Sequence, residues 1–156
     1  MATTMKQVRA WLEAEEVDYP GASKLGAAAI PFLKDLVKGG DLNLASKATY
    51  LVSLIKSTQS AAVLETAAAS SEPLLRVAAA SGMRNLPEKQ ALKVVDRLRK
   101  DADAGIRKVM LQSALRFRSP QMAAKLRQIA TKDPEPFVRE LAASVPQPQK
   151  RKKKKK

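Results

Sequence analysis

The sequence predicts an all-α chain of four repeated helical hairpins behind an N-terminal cap helix. Three observations carry this reading. Hydrophobic residues make up 45 % of the 156 residues but aromatics only 4 %, and Ala, Leu and Val supply most of the apolar content. Ala and Leu are strong helix formers, and the aromatic and β-branched enrichment of strands is missing. A short signature recurs along the chain at offsets of 31, 31 and 32 residues. Each copy is preceded by two apolar columns three residues apart, the spacing of one helix face.

The elements follow in order. Met5, Val8 and Leu12 share one face, which predicts a cap helix over 4–16. The first column, Leu33, Leu64, Val95 and Leu126, and the second, Leu36, Ala67, Leu98 and Ile129, place the first helix of each hairpin (helix A). The signature opens the second (helix B). Its first position is acidic: Asp41, Glu72, Asp103 and Glu135. Its fourth is aliphatic: Leu44, Leu75, Ile106 and Val138. Its fifth is Arg76, Arg107 and Arg139, with Ala45 in the first copy. The A/B pairs are therefore expected at 23–38 and 42–57, 60–70 and 72–86, 88–101 and 104–117, and 120–132 and 135–144. Gly39-Gly40, Ser70-Ser71, Asp101 and Asp133-Pro134 supply the A–B turns, and Pro87 and Pro120 suit first helical turns. These boundaries give a cap and linker at 1–22 and repeats at 23–57, 58–86, 87–118 and 119–144. The last segment, 145–156, comprises an extended Pro/Gln linker and an unstructured basic tail.

The acidic–x–x–aliphatic–Arg signature followed by small residues resembles the HEAT repeat, and most closely the short type first noted in phycobilin lyases. The stretch Leu25–Leu33 is also typical of that family's first helix. The resemblance covers about residues 23–144, and Ala45 marks the first unit as a degenerate end unit. The period is shorter than the roughly 40–47 residues of long HEAT units, and the ankyrin and tetratricopeptide signatures are absent. The resemblance implies a right-handed solenoid in which A helices line the convex side and B helices the concave side. It also implies a buried ladder formed by the arginines and the acidic positions, Asp41, Glu72, Asp103 and Glu135 with Arg76, Arg107 and Arg139. An acidic residue opening each B helix suits the free amides and positive end of that helix.

Composition limits the chemistry. There is no His and no Cys, so disulfides, thiolate nucleophiles, Cys/His zinc sites and imidazole bases are excluded. No phosphate loop or nucleophile elbow is present. The carboxylates Glu13, Glu15, Glu16 and Asp18 read as a solvated surface, and Trp11 as a packing residue of the cap. No catalytic, cofactor or metal residue is assigned, and no small-molecule substrate is expected. No segment reaches the ~18 apolar residues of a membrane span, so the expectation is a soluble intracellular protein, cytoplasmic or associated with nucleus or nucleoid.

The net charge is +14, unevenly spread. Residues 1–83 are neutral, 84–132 carry +9, 133–149 carry −2 and 150–156 carry +7. Such asymmetry points to an anionic partner. Lys89, Lys93, Arg97 and Lys100 form a stripe on the third A helix, read as a solvated outer face. Lys108, Gln112 and Arg116 fall on one face of the third B helix, and Arg84 lies on the second B helix off the apolar columns. With Lys150, Arg151 and Lys152 of the tail, these are the expected partner-binding residues. The leading function is a non-enzymatic scaffold binding an acidic protein through a concave basic surface. The alternative is a DNA- or RNA-binding protein using residues 84–132 and the tail. A glycosylase- or lyase-type enzyme is a third reading without supporting residues.

Overall fold

The computed structural model describes residues 2–144, and all regular structure among them is helical. The expected linker and tail, with Lys150, Arg151 and Lys152, lie outside the described residues. Helix α1 is Met5–Leu12 and α2 is Tyr19–Ser23. Four hairpins follow: α3 (Ile30–Lys38) with α4 (Leu42–Leu54), α5 (Ser60–Ala68) with α6 (Pro73–Gly82), α7 (Glu88–Leu98) with α8 (Ala104–Ala114), and α9 (Pro120–Lys132) with α10 (Pro136–Ser144). The A helices α3, α5, α7 and α9 form one layer and the B helices α4, α6, α8 and α10 the other. This is a helical-repeat solenoid.

The first third of the chain departs most from expectation. The cap helix stops at Leu12 instead of reaching residue 16. Its start is fixed by a reciprocal box in which the Thr4 hydroxyl accepts from Gln7 N and Gln7 Oε1 accepts from Thr4 N. Carboxylates just past its end oppose the negative helix terminus, and Lys47 Nζ takes up the Leu12 carbonyl at 3.1 Å. The expected helix 23–38 is split. Pro31 cannot continue a helix through its own position, because its ring meets the carbonyl four residues back. It sits instead in the first turn of α3, behind a 3₁₀ turn at Gly26–Ala29. Gly26 makes the bend with φ +68°, and every other positive-φ position among the described residues is absent. Helices α4, α5, α7 and α8 start where expected and end two or three residues early, α6 starts one residue late and ends four early ahead of a 3₁₀ turn at Met83–Asn85, α10 starts one residue late, and α9 matches at both ends.

Packing explains which layer is inner. The B helices meet one another more extensively than the A helices do. They can, because their contact faces are built from Ala45, Ala48, Ala79, Ala80 and Ala114, all fully buried. Gly82 at the end of α6 sits so close to α4 that a Cβ there would lie 2.9 Å from Ser53 Cβ. Closer spacing on one side of a two-layer stack curves it toward that side, so the B layer is the concave one. One continuous core runs through the stack from Val8 to Ala142.

The arginines of the signature tie unit to unit, with different carboxylates from those expected. Arg107 makes a two-pronged bond to Asp133, Nε to Oδ2 at 2.8 Å and Nη2 to Oδ1 at 3.0 Å. Arg76 Nε donates to Asp101 Oδ2 at 2.8 Å. Both acids stand in the A–B turn of the following unit, two residues ahead of Asp103 and Glu135. Each arginine also donates backward to its own turn: Arg76 to Ser70 O, Arg107 to Asp101 O and Arg139 to Asp133 O. Among the described residues no ion pair joins these arginines to Asp41, Glu72, Asp103 or Glu135. The reason is local. Asp41 and Asp103 turn onto the amides of Leu44 and Gly105 as helix caps, so their carboxylates face away from the guanidinium. The rung that lacks arginine also lacks the acid: Ser70 occupies the place of Asp101 and Asp133, 25 residues after Ala45. Its hydroxyl still accepts from Glu72 N, as Asp101 does from Asp103 N.

Two outcomes follow. Gly26→Ala forces a Cβ residue into the left-handed region and should cost about 1–2 kcal/mol in urea unfolding. Arg107→Ala leaves the Asp133 carboxylate, only 4 % exposed, without its cation. It should cost about 3–5 kcal/mol. Arg76→Ala should cost less, because Arg76 is 19 % exposed and single-pronged.

Candidate interaction surface

The concave face carries the outward positions of the B helices. On α8 these are Lys108 and Gln112, both exposed and one turn apart, with Arg116 exposed just past the helix end. Among the described residues neither the Lys108 nor the Arg116 side chain has a hydrogen bond or ion pair. Arg84 lies past the end of α6 and is half-buried. Its Nε donates to Ser81 O at 3.0 Å and its Nη2 to Ser113 Oγ at 3.3 Å, which bridges it from the second unit onto α8. Arg84 is therefore anchored by side-chain hydrogen bonds and Arg116 is not.

Arg84 and Arg116 come together. They line one groove of about 760 Å³ at the C-terminal ends of the B helices, where the chain turns into the next A helix. Lys108 and Gln112, on α8 itself, are not part of its lining. The groove adds residues that the repeat pattern does not flag. Lys56, from the turn after α4, brings a third cation, exposed and unpaired among the described residues. Asn85 donates to Ser53 Oγ at 3.1 Å, locking the end of the second unit to α4. Gln90, in the first turns of α7, lines the groove with an Oε1 that is shut off from water and has no hydrogen-bond partner. Lys56 escapes the pattern because each unit places a different residue there, Lys56 aligning with Pro87 and Arg118, whereas Gln90 repeats Gln59 and Gln121 at the 31-residue period, in a polar column beside the apolar ones.

The electrostatics of the groove are one-signed. Lys56, Arg84 and Arg116 each follow a B helix, where the negative helix end favours a cation. No carboxylate lines the groove. The acid nearest in sequence, Glu88, is turned to Ser119 N at 3.1 Å, where it holds the next turn. The floor is apolar, with Ile55 and Leu86 buried beneath it.

The A-side stripe behaves differently. Lys93, Arg97 and Lys100 line a groove of about 680 Å³, but Glu65, Asp96 and Asp101 line it too. Asp101 is already engaged with Arg76, and Asp96 pairs with Lys125 and Arg99. That face offers no uniform field. At the N-terminus Glu13 pairs with Arg9 at 2.7 Å and Asp18 caps Gly21 N at 2.9 Å. Among the described residues no group of acidic side chains is arranged to hold a metal ion. Trp11 is 37 % exposed and packs beside Gly21 of α2. Tyr19 and Tyr50 meet edge to face at 4.9 Å. Burial pushes the Tyr19 phenol above its ordinary pKa, and the neighbouring Tyr50 adds to the shift. No helix among the described residues is long and apolar enough to cross a membrane.

A family model for HEAT repeats matches residues 60–145. The match begins at α5, leaving out the hairpin that has Ala45 in place of the arginine. No curated protein matches the chain.

Proposed function

Because the chain belongs to the HEAT repeat family, whose members generally act as scaffolds for protein–protein contacts, we propose that it is a non-enzymatic adaptor for an acidic protein, held through the basic concave surface that includes Arg84, Lys108, Gln112 and Arg116. The observation that carries this reading is the cation-lined groove: three positive side chains from three successive units and no carboxylate among them. The arrangement suits a partner with complementary charge, which gains on-rate and specificity from the field. These cations stand in short turns directly at the ends of packed B helices, so less ordering is needed on binding than a flexible segment would require.

A second reading is supported by the charge map. Residues 84–132 carry +9 and residues 150–156 carry +7, enough for electrostatic attachment to DNA or RNA. Against it stands the scarcity of aromatics, since bases of single strands are commonly held by stacking.

The two readings separate in a pull-down with the full chain as bait, run with and without nuclease. The adaptor reading expects a retained protein that survives nuclease and is lost with a Lys108→Glu/Arg116→Glu bait. Loss on nuclease treatment alone would place the chain among nucleic-acid binders. Removing 146–156 should weaken heparin and duplex DNA binding together. It should also flatten the dependence of log affinity on log salt, by about 0.9 for each duplex phosphate no longer neutralised.

A further inference from the structure

We propose that the groove between Lys56, Arg84 and Arg116 is a docking site for an extended peptide in which acidic and apolar residues alternate. The inference rests on the adaptor reading above and narrows it to one segment of the partner and one place on the concave rim.

The groove has two chemistries in one space. Its rim is cationic and its floor, above Ile55 and Leu86, is apolar. An extended chain points successive side chains to opposite sides. Alternating acidic and apolar residues would therefore face rim and floor respectively. A uniformly charged ligand would leave the floor uncovered.

The cations come from three neighbouring units. Helices pack about 8–10 Å apart, so the three span about 16–20 Å. An extended chain covers that in about five or six residues at ~3.3 Å each. Arg84 is pre-positioned by Ser81 and Ser113, while Lys56 and Arg116 have no partner to give up among the described residues.

The lining favours a peptide over a nucleic-acid strand. The Gln90 amide lines the groove and can both donate and accept, as a peptide backbone does. A phosphodiester backbone offers only acceptors, and no aromatic ring lines the groove to stack a base.

The test is fluorescence anisotropy on the full chain with three labelled probes. These are a nonapeptide alternating Asp and Leu, a nonapeptide of Asp alone, and a nine-nucleotide single strand. The alternating peptide should bind at least ten-fold tighter than the other two. Lys56→Glu and Arg116→Glu should each weaken it at least ten-fold, and Gln90→Leu several-fold, while Lys6→Glu, at an exposed cation on α1 away from the groove, changes it less than two-fold. Equal binding of the all-Asp peptide or the oligonucleotide would overturn the proposal, since the groove would then read charge alone. So would an unchanged affinity in Lys56→Glu. If that variant is silent while the Lys108→Glu/Arg116→Glu bait still loses its nuclease-resistant protein, the groove assignment falls and the adaptor reading stands. If the peptide behaves as proposed while that bait keeps its protein, the peptide site stands and the wider surface falls.

Discussion

A hairpin of about thirty residues has one apolar face and nothing of its own to cover it, so each unit folds only against the next. Every other feature of this chain follows from that dependence. Alanine lines the B-helix faces because the neighbours must come close. Close B helices curve the stack and make their layer the inner one. The same junctions carry the polar links, Arg76 to Asp101 and Arg107 to Asp133, which reach from the start of one B helix into the turn of the next unit. Such pairs cost desolvation, and a buried ion pair is weak evidence of stability by itself. Their geometry matters more. Each guanidinium also holds its own turn, so a single side chain fixes two turns at once.

The period was legible because it is imposed by this stacking. Columns such as Leu33, Leu64, Val95 and Leu126 must face the same neighbour in every unit, so they repeat. All four are buried. The partners of the arginines were less legible. Asp101 and Asp133 looked like turn residues, which they are, since each also accepts from the amide two residues on. Their second role shows only when the next unit is in place. The ends of the first hairpin were misjudged where Pro31 and Gly26, two residues with strong backbone constraints, override an apolar run that reads as one helix.

The surface was legible in part. Arg84 and Arg116 stood out because they leave the apolar columns on B helices, and the structure brings them to one groove. Lys108 and Gln112 share a face with Arg116, as helical spacing requires, yet lie outside that groove. Lys56 was invisible because its turn position differs from unit to unit and obeys no period, while Gln90 belongs to a polar column with Gln59 and Gln121 that the apolar columns overshadow. The irregularity at Lys56 is what makes it informative. Positions free of the stacking constraint are the ones a repeat protein can vary to set what it binds.

The claim that the forward arginine–aspartate links couple each unit to the next is tested most directly by native-state hydrogen exchange on Asp133→Asn. A quasi-one-dimensional stack loosens where a junction is weakened. Protection should fall in α8, α9 and α10 and stay unchanged in α3 and α4. Equal loss across all eight hairpin helices, or no loss at all, would contradict the account.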